Sequence, residues 1–187
     1  MKTITISHWA RLAGMSLAGA IAIGTGSITG GAAHADPSSS DGAVNAIGAF
    51  RAIRNAASNQ CLQPQGGSTG EALIVPAPCL PANDRNADTQ SWIFRSASGV
   101  LQIVNQRSGF CMYMNGPIAS GSPVIQAGCS TVSNELWRVS PAPPSVGEVR
   151  SWAGHGDTHL CLDLPVTGAA VQIFPCDGGI AQHWIML

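Results

Sequence analysis

Residues 160–184 have the sequence LCLDLPVTGAAVQIFPCDGGIAQHW. Two short, partly apolar runs, 161–164 and 170–176, flank a turn that contains proline and glycine, a pattern that is typical of a β-hairpin. Each run carries one cysteine, so a disulfide bond could join the two strands. Because strand side chains alternate between two faces, Gln172 and Phe174 are expected to share one face of the second strand.

The landmarks of this stretch occur three times along the chain. Two cysteines and one tryptophan return every 45 to 50 residues, as Cys61, Cys111 and Cys161, then Cys79, Cys129 and Cys176, and finally Trp92, Trp137 and Trp184. Serine or threonine also stands three residues before the first cysteine of each copy. Internal periods of this length indicate an architecture of stacked or radially arranged units.

The three copies predict an all-β fold. Each copy is interrupted by Gly, Pro, Asn and Ser, and none contains an apolar 3.6-residue period long enough for a helix, so short strands fit better. Three copies of about four strands, closed by threefold pseudosymmetry, form a β-trefoil without exposed sheet edges. We place the domain at 50–187, with repeats at about 50–95, 96–140 and 141–187.

The cysteine count predicts three disulfide bonds. Six cysteines permit fifteen pairings, and the repeat symmetry selects one bond within each copy: Cys61–Cys79, Cys111–Cys129 and Cys161–Cys176. In the chain-entropy model, each such loop contributes about 3 kcal/mol to stability, less any strain in the native state. A zinc site is the alternative, but the sequence contains no CxxC or CxxxC pair, so the ligand spacing does not favour it.

The first 35 residues resemble a secretory signal peptide. Lys2 and Arg11 precede a short apolar run at 12–23, and small residues surround a cleavage site between Ala35 and Asp36. A membrane anchor is the alternative, but a dozen apolar residues fall short of the roughly 20 that a spanning helix needs. We therefore expect an extracellular protein in which residues 36–49 form a flexible lead-in.

The charge of residues 36–187 argues against two classes of partner. This part contains seven arginines, no lysine and ten acidic residues, which gives a formal charge of −3. The basic patch that nucleic acids or anionic membranes require is missing. We predict neither nucleic-acid binding nor membrane insertion.

The copies are similar to the ricin-type lectin repeat, in which two cysteines flank a hairpin and a Gln-x-Trp motif closes the unit. The motif is present as QSW at 90–92, in the degenerate form ELW at 135–137, and as QHW at 182–184. The resemblance extends from about residue 50 to 187 and implies a β-trefoil that binds carbohydrate without catalysis. The three tryptophans are expected in the core, and the preceding Gln or Glu is expected to hold a turn.

The resemblance also implies a sugar site in the third copy. In such sites an aspartate accepts hydrogen bonds from hydroxyls, an aromatic ring stacks on the sugar, and amides complete the polar contacts. The predicted carbohydrate-binding residues are Asp163, Gln172, Phe174 and Gln182. Ala181 replaces a family asparagine, and the hairpin is three residues shorter than in the other copies. Alternatively, Asp163 caps a turn, Gln172 lies on a solvated face and Phe174 is a core ring.

The other two copies lack this combination. The residues that match Asp163, Gln172 and Phe174 are Gln63, Val75 and Ala77 in the first copy and Tyr113, Ile125 and Ala127 in the second. Asn134 of the second copy matches the family asparagine, but one amide without a carboxylate or a ring does not make a site. The first copy also contains five additional residues between its second cysteine and its tryptophan, which we interpret as a polar surface loop.

The resulting prediction is a secreted, non-catalytic domain that binds a glycan or polysaccharide weakly. A monosaccharide of about twelve heavy atoms gains only about 4 kcal/mol at roughly 0.3 kcal/mol per atom, which corresponds to millimolar affinity. The main rival is a β-trefoil that has lost sugar binding and recognises a protein or cell surface, as a toxin-like cell-binding subunit or an inhibitor would.

An enzyme is the least supported hypothesis, and we predict no cofactor and no metal. His155 and His159 have the four-residue spacing of a metal pair on a helix, but they lie in the glycine-rich segment GHGDTHLC, where no helix is expected. Asp157 and His159 could form half of a hydrolytic triad, but no serine in a nucleophile elbow accompanies them.

Overall fold

The computed structural model describes residues 46–140, 146–154 and 156–187. The predicted signal peptide, residues 36–45 of the lead-in, and His155 lie outside the described residues. The last four residues of the predicted lead-in begin the first strand, where Ile47 is the backbone partner of Phe94. Among the described residues, the first strand thus begins a few residues before the predicted boundary at 50.

The described residues form strands and short 3₁₀ helices. The strands are β1 (Ala46–Asn55), β2 (Cys61–Pro64), β3 (Ala72–Ala77), β4 (Ser91–Ala97), β5 (Val100–Asn105), β6 (Cys111–Met114), β7 (Val124–Ala127), β8 (Trp137–Ser140), β9 (Val146–Ala153), β10 (Gly156–Asp163), β11 (Gln172–Pro175) and β12 (His183–Met186). The 3₁₀ turns are Gln65–Gly67, Ala87–Gln90, Ser133–Glu135 and Ile180–Gln182. This arrangement is four strands per copy, as predicted.

The strands pair as a β-trefoil, which confirms the predicted fold class. Six of them form a closed antiparallel ring in the order β1, β4, β5, β8, β9 and β12. The other six form three hairpins, β2–β3, β6–β7 and β10–β11. Ring closure leaves these six barrel strands without a free edge.

The core contains the three tryptophans of the repeat. Each is fully buried, and each indole N–H donates a hydrogen bond of 2.9–3.0 Å to the carbonyl of the residue after the first cysteine of its copy. The donor and acceptor pairs are Trp92 and Leu62, Trp137 and Met112, and Trp184 and Leu162. Each large apolar ring is thereby buried with its one polar atom paired.

Three disulfide bonds join the hairpins to the segments that follow them. The bonds are Cys61–Cys79, Cys111–Cys129 and Cys161–Cys176, with Cα–Cα separations of 4.9, 4.9 and 5.0 Å. The predicted pairing is confirmed. Each bond closes a loop of 15 to 18 residues within one copy, so it stabilises that hairpin locally.

Neighbouring copies are linked by recurring asparagines. The side-chain amide of Asn55 donates to the carbonyl of Ala181 at 2.8 Å, and that of Asn105 donates to the carbonyl of Thr89 at 2.9 Å. Both acceptors directly precede the Gln of a Gln-x-Trp motif in a neighbouring copy. The Oδ1 of each asparagine also accepts two backbone N–H groups of its own turn. One side chain therefore organises a turn and connects two copies.

We predict that Asn105→Ala lowers the free energy of unfolding by about 2–3 kcal/mol. Asn105 is buried, and the substitution leaves the Thr89 carbonyl and two backbone N–H groups without this partner, each at about 1 kcal/mol or more. Urea denaturation followed by circular dichroism measures the change. Gln106→Ala, at an exposed neighbouring position, is the control and should change the stability by less than about 0.5 kcal/mol. Equal effects of the two substitutions would contradict the linking role of Asn105.

Candidate functional site

The hairpin of strands β10 and β11 brings three of the four predicted site residues together. Asp163 is the direct cross-strand partner of Gln172, and Cys161 is the partner of Phe174. The intervening pair, Leu162 and Ile173, is fully buried. Strand alternation therefore sends Asp163, Gln172 and Phe174 to the face opposite the core.

Asp163 and Gln172 form a hydrogen-bonded pair on this face. Gln172 Nε2 donates to Asp163 Oδ2 at 3.0 Å, and Asp163 is 8% exposed. Among the described residues, Asp163 Oδ1 has no hydrogen-bond partner. The atom is also not fully enclosed by the protein. This oxygen therefore reaches solvent and can accept a hydrogen bond from a ligand. In the described structure Asp163 accepts no backbone N–H, so it does not cap a turn.

Phe174 presents an aromatic surface beside this pair. Its side chain is 42% exposed, so it is not a core ring. Strand β11, which carries Phe174, is held from both sides. It pairs with β10 on one side. On the other side, the N–H of Ile173 donates to the carbonyl of Ser122 in the second copy at 3.0 Å. Pro123 also forms a β-bridge with Gln172. The ring therefore stands on a backbone fixed by two copies.

Gln182 does not belong to the exposed face, and its predicted role as a sugar contact is corrected. It is 0% exposed. Its Oε1 accepts from the N–H of Asp177 at 3.0 Å and its Nε2 donates to the carbonyl of Pro175 at 2.9 Å. The oxygen and the nitrogen of this amide are thus both used to hold the segment that follows Phe174. Gln182 is a supporting residue for the hairpin.

The first residue of the other two Gln-x-Trp motifs has the same supporting position. Gln90 accepts from the N–H of Leu80 at 2.8 Å and donates to the carbonyl of Pro78 at 2.9 Å. Glu135 accepts from the N–H of Ser130 and from the amide of Gln102. These contacts agree with the expectation that the Gln or Glu holds a turn.

The equivalent faces of the first and second copies lack the carboxylate, and both have alanine at the position of Phe174. Gln63 lies opposite Val75, and Tyr113 lies opposite Ile125. Asn134 donates both its amide hydrogen bonds to carbonyls of the loop after β6, those of Met114 and Gly116, at 2.8 Å each. This amide is therefore committed to the fold.

Two exposed apolar residues near the third hairpin were not identified from the sequence. Val166 follows β10 and is fully exposed, and Ile180 begins the last 3₁₀ turn and is mostly exposed. The N–H of Leu164 donates to the carbonyl of Ala181 at 3.3 Å, which brings these two segments side by side. Apolar residues inside turns rich in Gly, Pro and Asp were the only signal in the sequence.

Asp157 and His159 lie in the first half of β10, close to Arg150 of β9. Asp157 Oδ2 lies 3.1 Å from Arg150 Nη1, and its Oδ1 accepts from the backbone N–H of His159 at 2.7 Å. Burial raises the pKa of Asp157, but the bonds from His159 and Arg150 together hold it below its usual range. Arg150 also bonds to Glu148. The carboxylate is thus part of an ion-pair network.

Two features are absent from the described residues. These residues contain no group of three or more His, Cys, Asp or Glu side chains arranged to hold a metal ion. No helix in the same part of the chain is both long and apolar enough to cross a membrane.

The profile of one protein family matches the sequence twice. The family is described as the ricin-type beta-trefoil lectin domain, and it matches residues 49–142 and 99–187. The two matches overlap by about one repeat and together extend from residue 49 to the end of the sequence. Among curated proteins, none matched the chain.

Solved structures share the fold at low sequence identity. A designed threefold-symmetric protein, ThreeFoil, superposes with a TM-score of 0.62 at 20% identity over 74% of this chain and 97% of its own. An exo-β-1,3-galactanase from Clostridium thermocellum superposes with a TM-score of 0.62 at 22% identity. The match covers 75% of this chain but only 30% of the galactanase. A Macrolepiota procera ricin B-like lectin, solved with lactose, superposes with a TM-score of 0.58 at 16% identity. The match covers 75% of this chain and 96% of the lectin. At these identities the likeness shows the fold alone.

We predict that Asp157 makes stability depend on acid pH. A carboxyl whose folded pKa is depressed stabilises the fold above its unfolded pKa of about 3.9, and this contribution disappears as the pH falls through the folded pKa. Asp157→Asn should therefore destabilise the protein at pH 7 by about 0.2–1 kcal/mol, and the difference from the parent should shrink below about pH 4. Urea denaturation over this pH range measures it. A difference that stays constant with pH would contradict the assignment.

Proposed function

We propose that this chain, which belongs to the ricin-type β-trefoil lectin family, binds carbohydrate through the outward face of its third copy. The observation that carries the proposal is the exposed ring of Phe174 on the same face as the Asp163–Gln172 pair. Sugars present both hydroxyl groups and an apolar C–H face. A site for them needs fixed polar acceptors and a flat apolar surface close together, and this face has both.

Each of the three side chains has a distinct role in the proposed site. Asp163 Oδ1 accepts hydrogen bonds from hydroxyls, and a bond to an ionised acceptor is worth about 1.5–3 kcal/mol. Gln172 fixes the orientation of the carboxylate through its 3.0 Å bond, and its Oε1, which has no partner among the described residues, offers a second acceptor. Phe174 supplies the surface on which the C–H face of a sugar packs. The acceptors thus favour a ligand with adjacent hydroxyl groups.

The proposed binding is weak for a single sugar unit. Asp163 is nearly buried and one of its oxygens is already bonded, so few new hydrogen bonds are available to a ligand. A gain of about 4 kcal/mol corresponds to millimolar affinity. A polysaccharide or a dense glycan surface compensates for this, because several chains or several sugar units bind together.

The proposed activity is binding without catalysis. The galactanase of the same fold is about three times longer than the region it shares with this chain, so the shared region is a minor part of that enzyme. The Macrolepiota lectin was solved with lactose, which supports a saccharide as the ligand of this chain. Asp157 is engaged by Arg150 and by its own turn, which leaves it unsuited to a hydrolytic role.

Export is part of the same proposal. The basic start, the apolar run and the small residues before Asp36 support cleavage of a signal peptide. The three disulfide bonds support an oxidising compartment. We therefore place the protein outside the cell, where glycans are abundant.

We predict that Phe174→Ala and Asp163→Asn each weaken saccharide binding by about tenfold. The first change removes the apolar surface, and the second removes the charge of the acceptor while keeping its shape; either loss of about 1.4 kcal/mol is a factor of ten. A glycan array identifies the ligand of the parent, and isothermal titration with that glycan compares the variants. Val132→Ala truncates an exposed apolar residue of the second copy and should bind as the parent does.

Two outcomes would reject this site. If the parent binds no glycan on the array, the protein-binding hypothesis is favoured, since two of the three copies already lack the sugar-binding set. If the parent binds glycan and both variants retain full affinity, the ligand binds elsewhere. Thermal unfolding of each variant shows whether a loss of binding reflects a loss of fold.

A further inference from the structure

The outer face of the sheet where the first and last strands pair carries an arginine with an unpaired nitrogen. On β1, Ile53 faces the core, so Ala52 and Arg54 face outward. Arg54 is the backbone partner of Ile185 on β12 and of Cys61 on β2. Its Nε is fully enclosed, yet it donates to no acceptor among the described residues. Buried polar atoms without a hydrogen-bond partner are rare in folded proteins and usually have a specific reason.

The third copy shows how an arginine at this position is normally paired. Arg150 has the equivalent position there, since Arg54 and Arg150 each pair with the first cysteine of their own copy. The Nε and Nη2 of Arg150 donate to Glu148 Oε2 at 3.0 and 2.7 Å, and its Nη1 donates to Asp157 Oδ2 at 3.1 Å. A guanidinium at this position of the sheet can thus bind two carboxylates at once.

The first copy contains neither of these carboxylates. Glu148 lies two residues before the arginine, where the first copy has Ala52. Asp157 lies four residues before the cysteine, where the first copy has Ala57. The ion pairs of the described residues do not include Arg54. Both replacements are alanines that are not buried, so a carboxylate supplied by another molecule has room beside the guanidinium.

The surroundings of Arg54 are apolar and accessible. Ile185 and Leu187 lie on either side of a core residue, so both face outward, and the N–H of Leu187 donates to the carbonyl of Ala52 at 2.9 Å. Leu187 is 49% exposed, and Phe50, two residues before Ala52, is 43% exposed. We call these five residues the β1–β12 face. Exposed apolar side chains grouped around an arginine are typical of protein-binding surfaces.

The apolar surroundings decide which kind of carboxylate fits the β1–β12 face. The carboxylate of an acidic sugar is surrounded by hydroxyl groups, and the side chains of this face other than Arg54 offer them no hydrogen-bond partner. Covering a hydroxyl without pairing it is unfavourable. An acidic side chain of a protein can instead be flanked by apolar residues, which pack on the exposed side chains of the face. A protein carboxylate therefore matches both the charge and the apolar surface.

We propose that the β1–β12 face binds a protein partner through an acidic side chain that pairs with Arg54, while apolar side chains of the partner cover Phe50 and Leu187. The partner's carboxylate lies over Ala52, in the position that Glu148 has beside its arginine in the third copy. It supplies the charged acceptor that the guanidinium lacks among the described residues. The face shares no residue with the proposed sugar site, so this second activity does not depend on sugar binding.

The test is an NMR titration of the ¹⁵N-labelled protein, produced from the full sequence, with the peptide acetyl-Leu-Glu-Leu-Phe-amide. The peptide should shift the backbone N–H signals of Arg54, Ile185 and Leu187. The same peptide with Gln in place of Glu should bind about tenfold more weakly, because it lacks the charge. Arg54→Gln should weaken binding of the Glu peptide by a similar factor. Arg95→Gln changes a partly exposed arginine outside the face and should bind as the parent does.

Ala52→Glu gives a second, independent readout. This substitution places a carboxylate where the third copy has Glu148, so the new side chain should pair with Arg54. The pairing should raise the midpoint of thermal unfolding and weaken binding of the Glu peptide by at least about tenfold, because the arginine is already occupied. In the double variant of Ala52→Glu with Arg54→Gln, the increase in the midpoint should disappear.

Several results would overturn the proposal. One is equal binding of the Glu and Gln peptides, and another is the absence of shifts on the face up to the solubility limit of the Glu peptide. An unchanged or lower midpoint in Ala52→Glu would show that the space beside Arg54 does not accept a carboxylate. Larger shifts of the same signals with glucuronate would overturn the choice of a protein ligand. Self-association of the parent that Arg54→Gln abolishes would overturn the assignment to a separate partner, because a second copy would then supply the carboxylate.

Discussion

The buried indole N–H of each Gln-x-Trp motif imposes the main constraint on this fold. A tryptophan buried in an apolar core needs an acceptor for its N–H, because a buried donor left unpaired costs about 1–3 kcal/mol. In each copy that acceptor is the carbonyl of the residue after the first cysteine. The strand that begins at the motif is thereby attached to a residue of another strand some 22 to 30 residues earlier. The spacing of the motif and the shape of the copy depend on this contact.

The sequence predicts features that the three copies share. The cysteine spacing predicted the disulfide pairing, the strand alternation predicted a common outer face for Gln172 and Phe174, and the repeat predicted the trefoil. Each of these features is determined by contacts within one copy or by the ring that strands of all three copies close. The extension of β1 to residues 46–49 was not predictable, because the backbone pairing of Ile47 with Phe94 joins segments far apart in the chain.

The properties of single copies were less predictable. Glutamine is a residue type that often contacts sugars. Only the structure shows that the amide oxygen and nitrogen of Gln182 are bonded to the backbone of Asp177 and Pro175. Asn134 matches the family asparagine, but only the structure shows that it donates to the carbonyls of Met114 and Gly116. A sequence lists such groups, but it does not show which of their donors remain free. Buried positions are constrained alike in all copies, and the exposed loops have diverged.

The pairing of the first strand with the last has a consequence for biosynthesis. Strand β1 pairs with β12 near the end of the sequence, and Asn55 bonds to Ala181. These contacts lie at very long sequence separation, and such contacts slow folding because a large loop must close before they form. During synthesis, β1 thus lacks this partner until β12 has been made. Closure of the barrel therefore depends on the third copy, and the first two copies alone cannot complete the ring.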